Sequence, residues 1–530
     1  MKTTRHDSFA AYVLPSVLAF ALSGLYTIVD GFFIGQSLGD LGLAAITLAY
    51  PAAALLQAVG TGIGLAGAIR CTILQARGEE QTPRTCFSGT VLLLLATSAA
   101  FAAVLLGLLG PVLTVLGAQD EARPLAAEYI RVIAYGTAFQ ILATGLVPFI
   151  RNLGGSAFAM VAMGTGFVTN IALDYLFVWE FHWGMAGGAW ATVIGQAATM
   201  LLAIGYLVRR RVGFVPPKAG EVLPLWGALL KVAAAPIGLT FSPNITLMVM
   251  NHFLLRYGGA LAIAVYGCID YVLSTIYMLL QGVGDGSQPL ISRTYGAGDF
   301  GELRRTGARA YRAAFGITAV CIVALFLTRS VIGVLFGASA EANAGVTARL
   351  PLFLATLPLL AYTRVTIAYF YATEKTALSY VLVFSEPVLT FAVLLILPQL
   401  FKLTGVWLAI PAAQALTFCI AVPARRRTQR ARELPACPPR APGRARVARP
   451  RPVPLPKTPA AASLPPARFR LIKNLVEFRR RSGERKSDHF PRRHVRLGKY
   501  FSACKRTRRP LLADGACAAC PSAWSSPAAV

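Results

Sequence analysis

Two pairs of polar side chains stand one helical turn apart inside long apolar runs. Asn170 precedes Asp174 in VTNIALDYLFVW, and Tyr26 precedes Asp30 in the first apolar run. Residues four apart share one face of a helix. Carboxylates next to neutral oxygen-bearing groups can bind a proton or a hard cation such as Na⁺. Because an ionisable residue inside a membrane span is costly, such a residue is a functional candidate.

The composition indicates an integral membrane protein of the all-α type. Of the 530 residues, 55% are hydrophobic and only 14% are charged, which is less charge than a soluble protein of this length needs. The apolar runs reach the length of about twenty residues that spans a hydrocarbon core. They lack the alternating segments of about ten residues that are typical of a transmembrane β-barrel.

The apolar runs predict about twelve transmembrane helices, spans 1 to 12. The predicted ranges are 9–35, 43–76, 85–109, 124–150, 156–180, 184–208, 224–257, 259–283, 306–336, 344–371, 377–399 and 403–423. The loops after the even-numbered spans are basic, with Arg77, Arg151, Arg209, Arg304, Lys375 and Arg425, whereas the alternate loops carry few basic residues. The positive-inside rule therefore predicts that both termini are cytoplasmic. We expect a multi-pass protein of the plasma (inner) membrane.

An internal repeat divides these spans into two sets of six. Residues 61–80 align with 281–300 at an offset of about 220 positions, and 187–196 align with 405–414 at nearly the same offset. Six is even, so both halves have one orientation, which suits a carrier that rocks one half against the other. The predicted organisation is an N-lobe (1–211), an inter-lobe loop (212–221), a C-lobe (222–424) and a tail (425–530).

The tail is rich in Arg, Pro and Ala, and it carries most of the formal net charge of +28. Such a composition predicts disorder. Residues 467–481 are compatible with a basic amphipathic helix on the anionic leaflet, but solvated disorder is the favoured interpretation. Since the charge belongs mainly to the tail, it does not indicate that the protein binds nucleic acid.

Five polar residues are predicted to lie at one depth in the N-lobe. Counting from the outer ends of spans 1, 5 and 6 places Tyr26, Asp30, Asn170, Asp174 and Thr192 at a similar level. Desolvation and mutual repulsion of two carboxylates favour binding of a proton. Alternatively, Asp30, Asn170, Asp174 and Thr192 would hold Na⁺. The simpler hypothesis, in which each carboxylate only hydrogen-bonds a neighbouring helix, stays open.

The C-lobe offers a second, different candidate cavity. Asp270 lies on span 8, and Glu386 on span 11 precedes Pro387, where backbone groups are left without their helical partners. Asp285 lies closer to the cytoplasmic end of span 8, where a charge is cheaper. Pro15 interrupts span 1 below Asp30 and predicts either a hinge that moves Asp30 or a static kink.

The sequence resembles the multidrug and toxic compound extrusion (MATE) family. The matching stretches are VDGFFIGQSLGDLGLAAITLAYP (29–51), NIALDYLFVWEFHWGMAGGAWATVIGQ (170–196), GVGDGSQPLISRTYGAGD (282–299) and FKLTGVWLAIPAAQ (401–414). The resemblance implies a twelve-helix, two-lobed antiporter that exports cationic or amphipathic compounds in exchange for H⁺ or Na⁺, with no other cofactor. It implies small-molecule cargo, a lipid environment and a monomer.

The resemblance also implies roles for individual residues. Members with an N-lobe ion site have the pattern that is matched here by Tyr26, Asp30, Asn170, Asp174 and Thr192, and Pro15 matches a proline linked to bending of span 1. Another branch of the family uses acidic residues on spans 7 and 10. Span 7 has none here, and span 10 has only Glu341 at its outer edge, so an ion site of that kind is not expected.

Two other functions remain as alternatives. A flippase for lipid-linked oligosaccharides of the same superfamily would need a cationic cavity for a pyrophosphate head group, whereas the embedded carboxylates favour cationic cargo. An intramembrane enzyme would need a nucleophile with a base, or metal ligands, within the spans. His182 and His252 lie near spans but lack partners at ligand spacing. The sequence therefore predicts a transporter and not an enzyme.

Overall fold

The structure is a computed structural model that describes residues 8–79, 82–116, 121–336 and 338–433. All regular elements in these ranges are helical, because a chain in lipid must satisfy its backbone groups internally. The helices are α1 (Phe9–Ala76), α2 (Thr82–Gly107), α3 (Leu109–Val115), α4 (Ala122–Tyr135), α5 (Thr137–Asn152), α6 (Ser156–Asp174), a π-helix (Tyr175–Glu180), α7 (Gly184–Arg209), α8 (Ala219–Gly296), α9 (Phe300–Leu335), α10 (Ala340–Leu354), α11 (Leu357–Ala372) and α12 (Thr376–Glu433).

Twelve membrane crossings follow from these helices. In the described residues, nine helical segments are long and apolar enough to cross a membrane, or eleven when each of two bent pairs counts as one span. One of them, Thr376–Gln429, has 54 residues and a non-helical break at Lys402. At ~1.5 Å per residue it exceeds twice a ~30 Å core, so it holds two crossings. The prediction of about twelve spans is confirmed.

We keep the numbering of the spans for these crossings. Spans 1 and 2 lie in α1 on either side of Gly39, span 3 is α2, span 4 is α4 with α5, span 5 is α6 with the π-helix, span 6 is α7, spans 7 and 8 lie in α8 on either side of Gly259, span 9 is α9, span 10 is α10 with α11, and spans 11 and 12 lie in α12 on either side of Lys402. N-lobe denotes spans 1–6, and C-lobe denotes spans 7–12.

The backbone repeats its irregularities 220 positions apart. Positive φ angles, which favour glycine, occur at matched positions in the two lobes: Gly39 and Gly259, Gly78 and Gly298, Gly154 and Glu374, His182 and Lys402. The bends inside spans 4 and 10, of 59° and 50°, also correspond. The repeat inferred from two sequence alignments is therefore present in the geometry of the chain.

The lobes approach each other closely at one end of the bundle, which we call the closed end. Here span 8 packs against span 1, and a Cβ atom on Gly282 would lie 2.7 Å from the Val17 Cα. Gly286 meets Val13 in the same way. At the opposite end, which we call the open end, Tyr50 of span 2 and Tyr271 of span 8 are 40% and 58% exposed. The close backbone contacts of Gly282 and Gly286 with span 1 thus lie at the closed end.

Two predicted boundaries need correction. α8 begins at Ala219, inside the segment predicted to be the inter-lobe loop (212–221). α12 continues through Arg425, the predicted start of the disordered tail, to Glu433. The Arg425 guanidinium lies 3.4 Å from the centre of the Tyr369 ring, and this cation–π contact stabilises the extra turns. The rest of the tail, including residues 467–481, lies outside the described residues.

Candidate functional site

Spans 1 and 5 are held together by aromatic contacts on both sides of the two carboxylates. The Tyr26 and Phe167 rings stack with their centres 5.1 Å apart. Further along the same helices, Phe33 meets Tyr175 and Trp179 edge to face. Asp174 is the last residue of α6 before the π-helix, a rare conformation that is frequent at functional sites. The aromatic contacts therefore fix the two polar faces opposite each other.

The carboxyl groups of Asp30 and Asp174 lie within hydrogen-bonding reach of each other. Both residues are buried: Asp30 is 8% exposed and Asp174 is 0% exposed. Among the described side chains, no donor reaches Asp30 Oδ1 or either oxygen of Asp174. Two facing carboxylates without donors repel each other in a low-dielectric interior, so this pair is stable only with a bound proton or cation.

Asn170 and Thr192 extend the pair into a small polar chamber. Asn170 Nδ2 donates to Thr192 Oγ1 over 3.3 Å, while Asn170 Oδ1 has no donor among the described residues. The two helices come close enough for this bond because glycines face each other. A Cβ on Gly195 would lie 2.7 Å from the Gly166 carbonyl oxygen. The small-residue pattern of the sequence thus positions the amide.

Two tyrosines complete the chamber. The Tyr26 hydroxyl lies beside the Thr192 hydroxyl, as does that of Tyr129 on span 4. The structure therefore brings together all five residues predicted for the N-lobe site. Tyr129 was missed by sequence reasoning, because it comes from a helix distant in sequence and carries no spacing signal.

The chamber supplies carboxylate, amide and hydroxyl oxygens, which are ligands for a proton or a hard alkali cation. In the described residues, no group of three or more His, Cys, Asp or Glu is arranged to hold a metal ion. The arrangement can take up one positive charge.

The C-lobe candidates have partners that the N-lobe carboxylates lack. Asp270 accepts a hydrogen bond of 3.4 Å from the Tyr266 hydroxyl. Glu386 Oε2 lies 3.6 Å from Arg364 Nη2 on span 10. Arg364 is 3% exposed, and its Nη1 donates to the Leu239 carbonyl. The carboxylate of Glu386 is thus neutralised by a fixed cation.

Arg364 is the second residue that sequence reasoning missed. It stands inside predicted span 10, so the rule that singled out the embedded carboxylates also applies to it. Pro15 lies within α1 as predicted and does not end the helix. Its neighbours Val13 and Val17 form the close contact with span 8, so any bending of span 1 there would act on the closed end. Whether Pro15 bends stays a prediction.

Two halves of six helices in one orientation, closed at one end and enclosing a buried polar chamber, form the architecture of a membrane transporter. The MatE family profile matches residues 15–176 and 236–396. These two blocks fall one in each lobe and cover more than half of the chain. The chain therefore belongs to the MatE family.

Similar proteins agree with this assignment. The chain is 26% identical over 333 residues to the multidrug export protein MepA of Staphylococcus saprophyticus, covering 60% of this chain and 70% of that protein. It is 25% identical over 317 residues to MepA of Staphylococcus aureus strain MSSA476, covering 59% and 70%.

Solved structures share the fold. An outward-facing MATE family transporter of the MOP superfamily aligns with a TM-score of 0.75 at 21% identity, over 80% of this chain and 96% of that one. A MOP superfamily transporter from Pyrococcus furiosus, described as having a binding pocket of reverse polarity, aligns with a TM-score of 0.76 at 20% identity, over 82% and 100%. The two-lobed fold expected from the sequence is confirmed.

Proposed function

We propose that this protein is an ion-coupled antiporter that exports cationic or amphipathic small molecules in exchange for H⁺ or Na⁺. One observation carries the proposal. Asp30 and Asp174 are buried carboxylates that face each other, and three of their four oxygens meet no donor among the described residues. Such a site must alternate between an occupied and an empty state if the chain is to release its ion, which is what an exchange cycle needs.

The direction of transport follows from the charge of the loops. The basic loops after the even-numbered spans assign the closed end to the cytoplasm. The open end, with the exposed Tyr50 and Tyr271, then faces outward. In this state the ion enters the N-lobe chamber from outside, and cargo leaves in the same direction. The names of the similar MepA proteins as multidrug exporters support export as the direction.

The cargo class follows from the sign of the embedded charge. The N-lobe chamber is acidic, and Arg364 in the C-lobe is paired with Glu386. An anionic pyrophosphate head group would meet two carboxylates and a guanidinium that is already neutralised. This arrangement favours cationic cargo over the lipid-linked substrate of a flippase.

Gradient-driven transport by purified protein in proteoliposomes tests the proposal. We expect Asp30→Asn to abolish cation efflux driven by an imposed ion gradient, while the protein stays folded. Glu302→Gln is the matched control, since Glu302 is a half-exposed carboxylate on α9, far from the chamber in sequence, and pairs with Arg309. Unchanged efflux by Asp30→Asn would overturn N-lobe coupling.

Vesicles with only a proton gradient, or only a Na⁺ gradient, identify the coupling ion. We expect one of the two gradients to drive efflux by the wild-type protein and the other to have no effect. Efflux that ignores both gradients would contradict antiport.

A further inference from the structure

At the closed end, polar side chains of both lobes form a buried network. Arg151 at the end of span 4 lies 3.5 Å from Asp285 on span 8, measured from Nη1 to Oδ2. Both side chains are at most 5% exposed. The Tyr371 hydroxyl of span 10 donates to the other oxygen of Asp285 over 3.0 Å. One C-lobe carboxylate thus joins a guanidinium of the N-lobe to a phenol of its own lobe.

A reciprocal pair of amides lies beside this ion pair. Asn152 Nδ2 donates to Gln288 Oε1 over 3.0 Å, and Gln288 Nε2 donates back to Asn152 Oδ1 over 3.3 Å. Thr72 donates to Asn152 over 2.7 Å, and Gln288 donates to Ser292 over 2.9 Å. Each amide is therefore fixed by a hydroxyl of its own lobe and bonded to the amide of the other lobe.

The network follows the internal repeat. Tyr371 occupies the position 220 residues after Arg151, and both bind Asp285. Ser292 occupies the position 220 residues after Thr72, and each supports one of the two amides. Equivalent positions of the two lobes thus meet at one contact. A rocking motion of one lobe against the other would bring these residues together or separate them.

A polar contact is an unusual way to gain stability here. A buried ion pair contributes little net stability compared with apolar residues of the same size, and its best-attested use is to fix a register or a switch. Water that fills the passage as it opens can solvate all of these groups, so they separate at lower cost than an apolar seam of equal area. The close contact of Gly282 and Gly286 with span 1 lies at the same closed end as the network.

We propose that Arg151, Asn152, Asp285 and Gln288 form a cytoplasmic latch that must break and re-form in each transport cycle. This inference rests on the proposed function for its place in the cycle and for the cytoplasmic assignment of the closed end. Its geometric claim, that these side chains hold the lobes together, is independent of the coupling ion and of the cargo.

Hydrogen exchange measured by mass spectrometry on the full chain in lipid nanodiscs tests the latch without any transport assay. Arg151→Gln leaves Asp285 buried without its counter-charge, so we expect backbone amides of residues 8–20 and 285–296 to exchange at least about tenfold faster than in the wild type. Gln288→Leu keeps the ion pair and is the milder variant, with an expected increase of about threefold in the same segments. The charge exchange Arg151→Asp with Asp285→Arg should return the rates toward those of the wild type.

Arg309→Gln is the matched control, because it breaks a shorter ion pair, 3.1 Å to Glu302, that is half-exposed and lies within the C-lobe. We expect wild-type rates at both segments. Unchanged exchange in both Arg151→Gln and Gln288→Leu would overturn the latch. So would an equal increase at residues 40–50 of the open end, since that would indicate general loss of stability. If exchange is unchanged in the latch variants but Asp30→Asn still abolishes efflux, the latch proposal is wrong and the proposed function is retained.

Discussion

The two lobes share one backbone fold but differ in whether their buried charges have partners. In the N-lobe, Asp30 and Asp174 face each other, and three of their four carboxylate oxygens meet no donor among the described residues. In the C-lobe, the positions 220 residues later are Met250 and Leu394, both fully buried. Two C-lobe charges, Glu386 and Arg364, stand elsewhere and neutralise each other, and Asp270 accepts a hydrogen bond from Tyr266.

This difference shows that a repeat preserves geometry without preserving chemistry. The glycine breaks and the bends of spans 4 and 10 recur because both lobes must fold around the same packing. If the proposed function holds, the N-lobe carboxylates bind the coupling ion, and the equivalent C-lobe positions need no charge and are filled by apolar side chains.

The largest expected effect comes from placing an N-lobe carboxylate at its C-lobe equivalent. Leu394 is buried in the apolar core of the C-lobe, so Leu394→Asp should lower the free energy of unfolding by about 4 kcal/mol or more. Thermal unfolding in detergent measures the effect, and Leu394→Met, which conserves volume, should stay near the wild type. A stable Leu394→Asp protein would mean that the C-lobe tolerates an ion site after all.

The next effect comes from breaking the neutralised pair of the C-lobe. Glu386→Gln leaves Arg364 as an uncompensated buried charge, so we expect a loss of about 3 kcal/mol in the free energy of unfolding. Replacing both residues, Arg364→Met with Glu386→Leu, should restore most of the stability in the same assay. Equal stability of the single variant and the wild type would show that the 3.6 Å contact is not a functioning ion pair.

In the N-lobe, replacing a carboxylate should not lower the thermal stability. Asp174→Asn replaces an unpartnered buried carboxylate with an amide that can donate to Asp30, so we expect thermal stability to stay unchanged or to rise by about 1 kcal/mol. The coupling ion should no longer stabilise this variant, although it should stabilise the wild type by mass action. A clear loss of stability in Asp174→Asn would indicate that Asp174 has a cationic partner.

The smallest effect concerns the tyrosine that completes the chamber. Tyr129→Phe removes a hydroxyl beside Thr192, so the ion concentration that gives half-maximal efflux should rise by about threefold, and by no more than about tenfold. Tyr135→Phe, an exposed position on the same helix, is the control and should have no effect. An unchanged ion dependence in Tyr129→Phe would remove Tyr129 from the site.

The convergence of the five N-lobe residues could be predicted from the sequence because its signal is local. Asn170 and Asp174 share a helix face by their spacing alone, and counting from the loops was sufficient to place Asp30 and Thr192 at the same depth. The twelve spans were predictable for a similar reason, since lipid requires long apolar helices. Several helices extend beyond their predicted spans. α9 begins at Phe300 and not at 306, α8 begins at Ala219 and not at 224, and α12 continues to Glu433, where the contact of Arg425 with Tyr369 lies beyond the apolar run.

The remaining features depend on contacts between distant segments. Arg151 is a basic residue at the end of a span, and the positive-inside rule alone accounts for such a residue. Its pairing with Asp285 becomes visible only when the two lobes are packed together. Arg364 and Glu386 are closer in sequence, 22 positions apart, but they stand on different spans, so their pairing also depends on how spans 10 and 11 pack. A single sequence therefore gives the positions of embedded charges and leaves their partners to the tertiary structure.

The most direct test of the central claim compares uphill with downhill transport in proteoliposomes. We predict that Asp30→Asn with Asp174→Asn removes cargo accumulation driven by an ion gradient and still allows cargo to move down its own gradient. The C-lobe double variant, Arg364→Met with Glu386→Leu, should keep gradient-driven accumulation. Retained accumulation in the N-lobe variant, or its loss only in the C-lobe variant, would contradict the assignment of ion coupling to the N-lobe.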